Sequence, residues 1–265
     1  MRVFDRGMIE SAYGKAAGWT SSELAEVDSV LALLESGQVA AVNRRGPDWL
    51  ADESVKKAIL VAFRSRPSQA LDFGFAFNDK FGVQAGFAQK GVRVVPGGSS
   101  VRQGAYLAPG VIVMPPSYVN VGAFVDAGTM IDSHVLVGSC ARVGKNVHLS
   151  AGVMVGGVLE PPQARPVVIE DGVFVGGNCG IYEGVVVRQH AVIGSGVILN
   201  ASIPILDLET GEDHYGVVPE GAVVIPGARR KAVHGRDVYV STPLIVKRRD
   251  EKTDARTCLE EALRG

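Results

Sequence analysis

Little in this sequence of 265 residues points to a membrane, a polyanion or an oxidised framework. A membrane-spanning helix needs about 18 consecutive apolar residues. No such run occurs, although the mean hydropathy is +0.18. The most apolar windows, 217–225 and 185–192, are too short, so a membrane partner is not expected. Charge of one sign is also missing. Lysine and arginine number 27 against 28 aspartates and glutamates, a net charge of −1, which excludes a general nucleic-acid binder. The opening residues, Met1-Arg2-Val3-Phe4-Asp5-Arg6, carry no apolar signal core, and a cytoplasmic location is the expectation. Cysteine is scarce: Cys140, Cys179 and Cys258 are odd in number and far apart, and read as reduced thiols.

Glycine is abundant instead, at 33 residues, about 12% against a usual ~7%, with no Gly-X-Y period. It is unevenly spread. Residues 1–65 read as helical. Thr20-Ser21-Ser22-Glu23 matches a capping box, with Leu24, Val27, Val30, Leu31, Leu33 and Leu34 following at roughly helical spacing and Gly37 where the helix ends. Asp52 is placed to cap a second helix over 53–63, with Val55, Ile59, Leu60 and Phe63 on its apolar face. Residues 66–92 show no clear pattern.

From Val95 onward every sixth residue is Val, Leu or Ile: Val95, Val101, Leu107, Val113, and so on without exception to Val155. The series resumes at Ile169 and runs to Leu199. The step from 155 to 169 is fourteen, which fits two repeats plus two residues of a proline-rich loop over 159–166. Four residues after each anchor sits a small or β-branched residue, such as Ala105, Val111, Ser117 and Ala123. Glycine often follows the anchor directly, as at Gly138, Gly144, Gly156, Gly176 and Gly194. Each six-residue unit is a short strand plus a turn, and three units make one triangular coil with the anchor pointing inward. The glycines are expected to supply turn angles that other residues resist. About 100 residues give roughly five to six coils. The period breaks at 203–216, returns at Val218 and Val224, and is followed by a basic stretch over 229–249 and a helix-like tail over 253–264.

The expected fold class is therefore mainly β: a hexapeptide-repeat parallel β-helix over 93–228, a small α-helical N-terminal domain over 1–92, and a short C-terminal extension of strand and helix over 229–265. A prism filled with aliphatic side chains has no internal cavity. Its site must lie outside, and loops that interrupt the repeat, 159–166 above all, are the natural candidates.

The loops carry more specific patterns. They include Gly91-Val92-Arg93-Val94-Val95-Pro96, Val113-Met114-Pro115, Ser117-Tyr118-Val119-Asn120-Val121-Gly122-Ala123, Gly128-Thr129-Met130-Ile131-Asp132, Gly156-Gly157-Val158-Leu159-Glu160-Pro161 and His214-Tyr215-Gly216. In this order over 91–227 the chain resembles the tetrahydrodipicolinate N-succinyltransferase family of the diaminopimelate route to lysine. That resemblance implies a left-handed β-helix, a homotrimer with active sites between subunits, and a coenzyme A thioester as co-substrate with no metal. It implies an acceptor that opens from a cyclic imine dicarboxylate to an α-amino-ε-keto diacid, whose amine attacks the thioester. It assigns Arg93 to a substrate carboxylate, for which a planar two-pronged donor is suited, and Asp132 to the substrate amine. Arg102 is a further carboxylate candidate. Gly157, Gly177, Gly194 and Ser195 fall where the family lays the pantetheine arm, and Arg229, Arg230 and Lys231 are expected at the CoA phosphates.

The chain also departs from the family pattern. Where relatives have a segment like Gly-Ala-Arg-Ser-Glu-Val-Val-Glu-Gly with a functional glutamate, this sequence places Gly180. Ser133-His134 stands in place of Thr-Trp, and Asp79-Lys80-Phe81-Gly82 in place of Asp-Lys-Val-Pro. These changes point to an altered acceptor or donor, such as an acetyl-CoA-using paralogue in a branch like tabtoxin biosynthesis. His134, whose ordinary pKa near ~6.5 suits proton transfer, becomes a catalytic candidate beside Asp132. Two rival readings remain. A non-catalytic scaffold is one. A metal-dependent lyase is the other, and it is disfavoured because His134, His148 and His190 do not repeat at a multiple of one coil.

Overall fold

The computed structural model describes residues 4–72 and 76–250. The N-terminal part opens with α1 (Arg6–Tyr13) and α2 (Ser21–Glu35), followed by a hairpin of β1 (Val42–Arg45) and β2 (Asp48–Ala51). Next come α3 (Glu53–Ser65) and a second hairpin, β3 (Gln69–Asp72) with β4 (Ala76–Asp79). The capping box at Thr20 and Glu23 is complete, and Asp52 caps α3 through the Val55 amide. Both hairpins fall in stretches where no strand was expected. Cys140 and Cys179 are buried free thiols. The expected tail helix and Cys258 lie outside the described residues.

The repeat forms a left-handed parallel β-helix of two-residue rungs, in which the anchor is always the second residue. Three faces result. Face A carries Val101, Val119, Val137, Val155, Ile181 and Leu199; face B carries Leu107, Val125, Val143, Ile169, Val187 and Val218; face C carries Val113, Ile131, Leu149, Val175, Ile193 and Val224. These anchors, and the residues four places on within the prism, form one buried core. Successive rungs on a face lie about 4.8 Å apart.

Three readings of the repeat need correction. The first rung is Arg93–Val94, and Val94, not Val95, pairs with Val113. One extra residue at Gly97-Gly98, both at positive φ, shifts the frame. The step from Val155 to Ile169 crosses a single corner, from face A to face B, where six residues serve elsewhere. The insertion is therefore eight residues rather than two. A second insertion lies at the same corner, since Leu199 to Val218 also runs directly from face A to face B.

The third correction concerns glycine. The left-handed backbone angle occurs three residues after the anchor, at Gly122, Gly128, His134, Cys140, Asn146 and their counterparts. Glycines directly after the anchor do not have positive φ. They are small because the next coil is close: a Cβ on Gly176 would stand 2.6 Å from the Ser195 nitrogen.

The N-terminal domain covers face B and the A–B corner. Val121 and Cys140 of that corner join the helical core of Leu31, Ile59 and Phe81, while Trp49 and Val42 pack on Val168 and Val186 of face B. At the far end, Leu244–Arg248 pairs antiparallel with Ala222–Ile225 and parallel with Ile205–Asp207. Ile205 and Ile245 close the prism core. Between Ala222–Ile225 and this cap, an arm of two antiparallel strands, Ala228–Val233 and Arg236–Ser241, projects with nearly all its residues exposed.

Candidate active site

The C–A corner brings together most of the expected site residues. Arg93 lies on the first rung of face C and is exposed. Asp132 and His134 follow Ile131, two rungs below, at the turn into face A. Gly177 follows Val175 two rungs further on, and Gly194 and Ser195 follow Ile193 on the next. The arm bearing Arg229, Arg230 and Lys231 leaves the seventh rung at the same corner. Six steps of about 4.8 Å place the arginine and the basic arm roughly 29 Å apart along one edge.

Asp132 is half-buried and does two jobs. Its Oδ1 accepts the Ser133 amide at 2.7 Å, and its backbone carbonyl accepts the Ser117 hydroxyl at 2.7 Å. Asn120 and Asp126 make the same side-chain bond after their own anchors, so this half of the carboxylate stabilises the turn. Oδ2 has no partner among the described residues. His134 holds the left-handed corner position with φ 61 and is exposed, its amide donating to the Pro116 carbonyl. Down the corner, the Gly196 amide donates to the Gly177 carbonyl, and the buried Cys179 thiol to the Gly194 carbonyl at 3.1 Å. Burial pushes that thiol above its ordinary pKa. Gly177 is half-buried and Ser195 exposed, leaving open backbone beside the glycines.

Two expected residues lie elsewhere. Gly157 is on the A–B corner, where a Cβ would stand 2.5 Å from the Ser139 nitrogen; close coil stacking accounts for it. Arg102 is on the A–B side as well. Its Nη2 donates to Asp79 at 2.6 Å and its Nη1 to Asn120 at 3.1 Å, and its guanidinium carbon lies 5.0 and 4.9 Å from the Phe63 and Phe81 ring centroids. It ties the N-terminal domain to the prism rather than presenting a fork to a ligand. Within the arm, Arg230 pairs with Asp237 at 2.7 Å. His134, His148 and His190 do not converge: His148 stacks on Phe174 across face C, and His190 turns the B–C corner.

The 159–166 loop is docked, not open. Lys56 of α3 is fully buried and its Nζ donates to the Pro161 and Ala164 carbonyls at 3.1 and 2.6 Å. Burial lowers the Lys56 pKa, with Cys140 and Glu53 opposing. Sequence reasoning missed this residue. The signal was a lysine among the apolar positions of α3, next to Val55 and Ala58.

Gly180 is not a bare gap. The Tyr182 ring lies over it, so that a Cβ at 180 would meet Cε2 at 2.5 Å and the hydroxyl at 2.8 Å. The same ring lies over Gly156. Phe81, another departure, belongs to the helical core.

Residues 6–65 match the model of the tetrahydrodipicolinate N-succinyltransferase N-terminal domain, and residues 166–201 match the hexapeptide repeat of succinyl-transferase. A Granulibacter bethesdensis protein named 2,3,4,5-tetrahydropyridine-2,6-dicarboxylate N-succinyltransferase is 49% identical over 272 residues, 97% of this chain and 95% of its own length. Proteins of the same name from Dechloromonas aromatica and Acinetobacter baylyi are 44% and 42% identical, covering 91% and 97% of this chain and 90% and 97% of their own. The chain belongs to the tetrahydrodipicolinate N-succinyltransferase family. No helix among the described residues is long and apolar enough to cross a membrane.

Proposed function

We propose that this protein transfers a succinyl group from succinyl-CoA to the amine of an α-amino-ε-keto diacid formed by hydration of a tetrahydropyridine dicarboxylate. What supports the reading is the run of Asp132, His134, Gly177, Gly194 and Ser195 along the C–A corner, with Arg93 on the first rung of face C and the basic arm leaving its seventh.

In this reading Arg93 holds an acceptor carboxylate, and the unpartnered Oδ2 of Asp132 holds the acceptor ammonium. His134, two residues on, takes the proton that frees the amine. The amine nitrogen forms a bond to the thioester carbonyl carbon, the carbon–sulfur bond breaks, and the sulfur leaves as a thiolate that gains a proton. The pantetheine arm follows the backbone at Gly177, Gly194 and Ser195, where glycine permits close approach, and Arg229 and Lys231 meet the CoA phosphates. The assembly is a homotrimer. What supports it is the outer row of face A, where Met154 and Ile198 are exposed apolar residues.

A second reading changes the donor or acceptor only. Tyr182 lays its ring over Gly180, where the family pattern has a functional glutamate, and this favours a different acceptor or acyl group. Thiol release from succinyl-CoA and acetyl-CoA, each with the tetrahydropyridine dicarboxylate, separates the two. Turnover with succinyl-CoA supports the main reading, turnover with acetyl-CoA alone supports the second, and inertness with both overturns acyl transfer.

A further inference from the structure

Two arginines of this chain each lie against two aromatic rings, and they differ in what their nitrogens do. Arg102 donates from both Nη atoms, to Asp79 and Asn120. Arg142 lies 4.1 Å from the Phe124 ring centroid and 5.2 Å from that of Trp49, yet no described residue accepts a hydrogen bond from it. Stacking fixes the plane of a guanidinium, and a fixed fork with unused donors matches a carboxylate or phosphate. Arg142 lines a cavity of about 220 Å³ at the seam between the N-terminal hairpin and face B. That is the share of about seven water molecules at ~30 Å³ each, below the ~300 Å³ at which drug-sized sites begin. The cavity suits a small metabolite.

Its walls offer charge of both signs. Together with the exposed Arg44 and Lys145, Asp126 and Asp171 line the same cavity. Each spends Oδ1 on one backbone amide, of Ala127 and of Lys145, both at 2.8 Å, and the other oxygen of each has no partner among the described residues. Glu170 is fully engaged by the Trp49 indole, Arg188 and the Gln189 amide. Burial pulls the Arg142 guanidinium below its ordinary pKa, and Asp126 and Asp171 oppose that pull, so the three charges interact. The two half-satisfied carboxylates attract an ammonium. A cavity that sets a stacked cationic fork beside two open anionic oxygens is complementary to a zwitterion.

We propose that this cavity binds a free α-amino acid, its carboxylate on the Arg142 fork and its ammonium between Asp126 and Asp171. Because Trp49 belongs to the N-terminal hairpin and Arg142 to the prism, the ligand would bridge the two. The site lies on face B and the B–C corner, away from the C–A corner, and does not rest on the acyl-transfer reading.

Titration calorimetry of the full chain against the common L-amino acids, in the absence of acyl-CoA, tests it. At least one should give saturable binding. Its carboxamide and its N-acetyl derivative, which each remove one charge, should bind at least about tenfold more weakly, as loss of a charge-assisted hydrogen bond predicts. Arg142→Gln and, separately, Asp126→Asn should weaken binding to a similar degree while leaving turnover without added amino acid unchanged. Because Asp126 is only half-buried and Asn keeps its Oδ1 bond to the Ala127 amide, Asp126→Asn keeps the test intact if Arg142→Gln does not fold. No saturable binding by any amino acid, equal binding by either derivative, or competition by 3′,5′-adenosine bisphosphate would overturn the proposal.

Discussion

The C–A and A–B corners of the prism are built from the same repeat and have come to differ. The C–A corner keeps the six-residue step below its first turn, is open, and carries Asp132, His134, Gly177 and Ser195 in register. The A–B corner takes both large insertions and the N-terminal domain, and its polar side chains are spent. Lys56 is on loop carbonyls, Arg102 on Asp79 and Asn120, and Asp207 on Arg248. In this prism, interruption of the repeat marks docking. Candidate chemistry lies where the repeat is kept, because stacking equivalent corners lines up backbone groups and side chains along an edge.

The largest test of that difference is at the open corner. Asp132→Asn keeps the Ser133 bond and removes only charge. It should lower kcat/KM for acyl transfer by about 10²–10⁴ with an unchanged thermal midpoint; a drop of less than tenfold would leave the carboxylate with only its turn role. At the docked corner the effect should appear in stability instead. Lys56→Met leaves the Pro161 and Ala164 carbonyls without their donor, a loss of about 2 kcal/mol, read by chemical denaturation together with faster amide exchange over 159–166.

The second insertion gives a pH test. Burial raises the Asp207 carboxyl, but Arg248 and the amides of Glu209 and Thr210 outweigh it and hold the pKa at about 2. A depressed carboxyl stabilises the fold above its unfolded pKa of ~3.9 and loses that contribution as pH falls toward its folded value. Stability should therefore drop between about pH 4 and pH 2, and the Asp207→Asn variant should lack that part of the drop. A superimposable pH profile for the variant would contradict it. The smallest effect separates conformation from chemistry. His134→Gly relieves a left-handed backbone angle and should stabilise by about 1 kcal/mol. If the imidazole moves a proton as proposed, kcat should fall in the same variant, and unchanged kcat would reduce His134 to a corner residue.

The anchors were legible in the sequence because each fills the prism axis and nothing but Val, Leu or Ile fits there. Frame errors arose where arithmetic allowed two answers. Fourteen residues fit two repeats plus two as well as one repeat plus eight, and only pairing across coils decides. Val95 looked like an anchor because the extra residue at Gly97-Gly98 leaves Val94 and Val95 adjacent. The left-handed position escaped notice because Gly, Asn, His and Cys share it, although its six-residue period from Gly122 to Gly152 is readable. The helix caps at Thr20 and Asp52 are local and were plain. The β1–β2 and β3–β4 hairpins were not, because their strands are mostly exposed and lack an alternating apolar pattern. What Arg102 and Arg142 touch is set by Asp79 and Trp49, which only the fold brings to them.

The distinction between the two corners can be measured on the bound state. Amide hydrogen exchange of the full chain, with and without succinyl-CoA, should show new protection at 132–134, 176–178 and 194–196, with 159–166 unchanged. Protection confined to 159–166 or 203–216, with the C–A corner unaffected, would contradict the account.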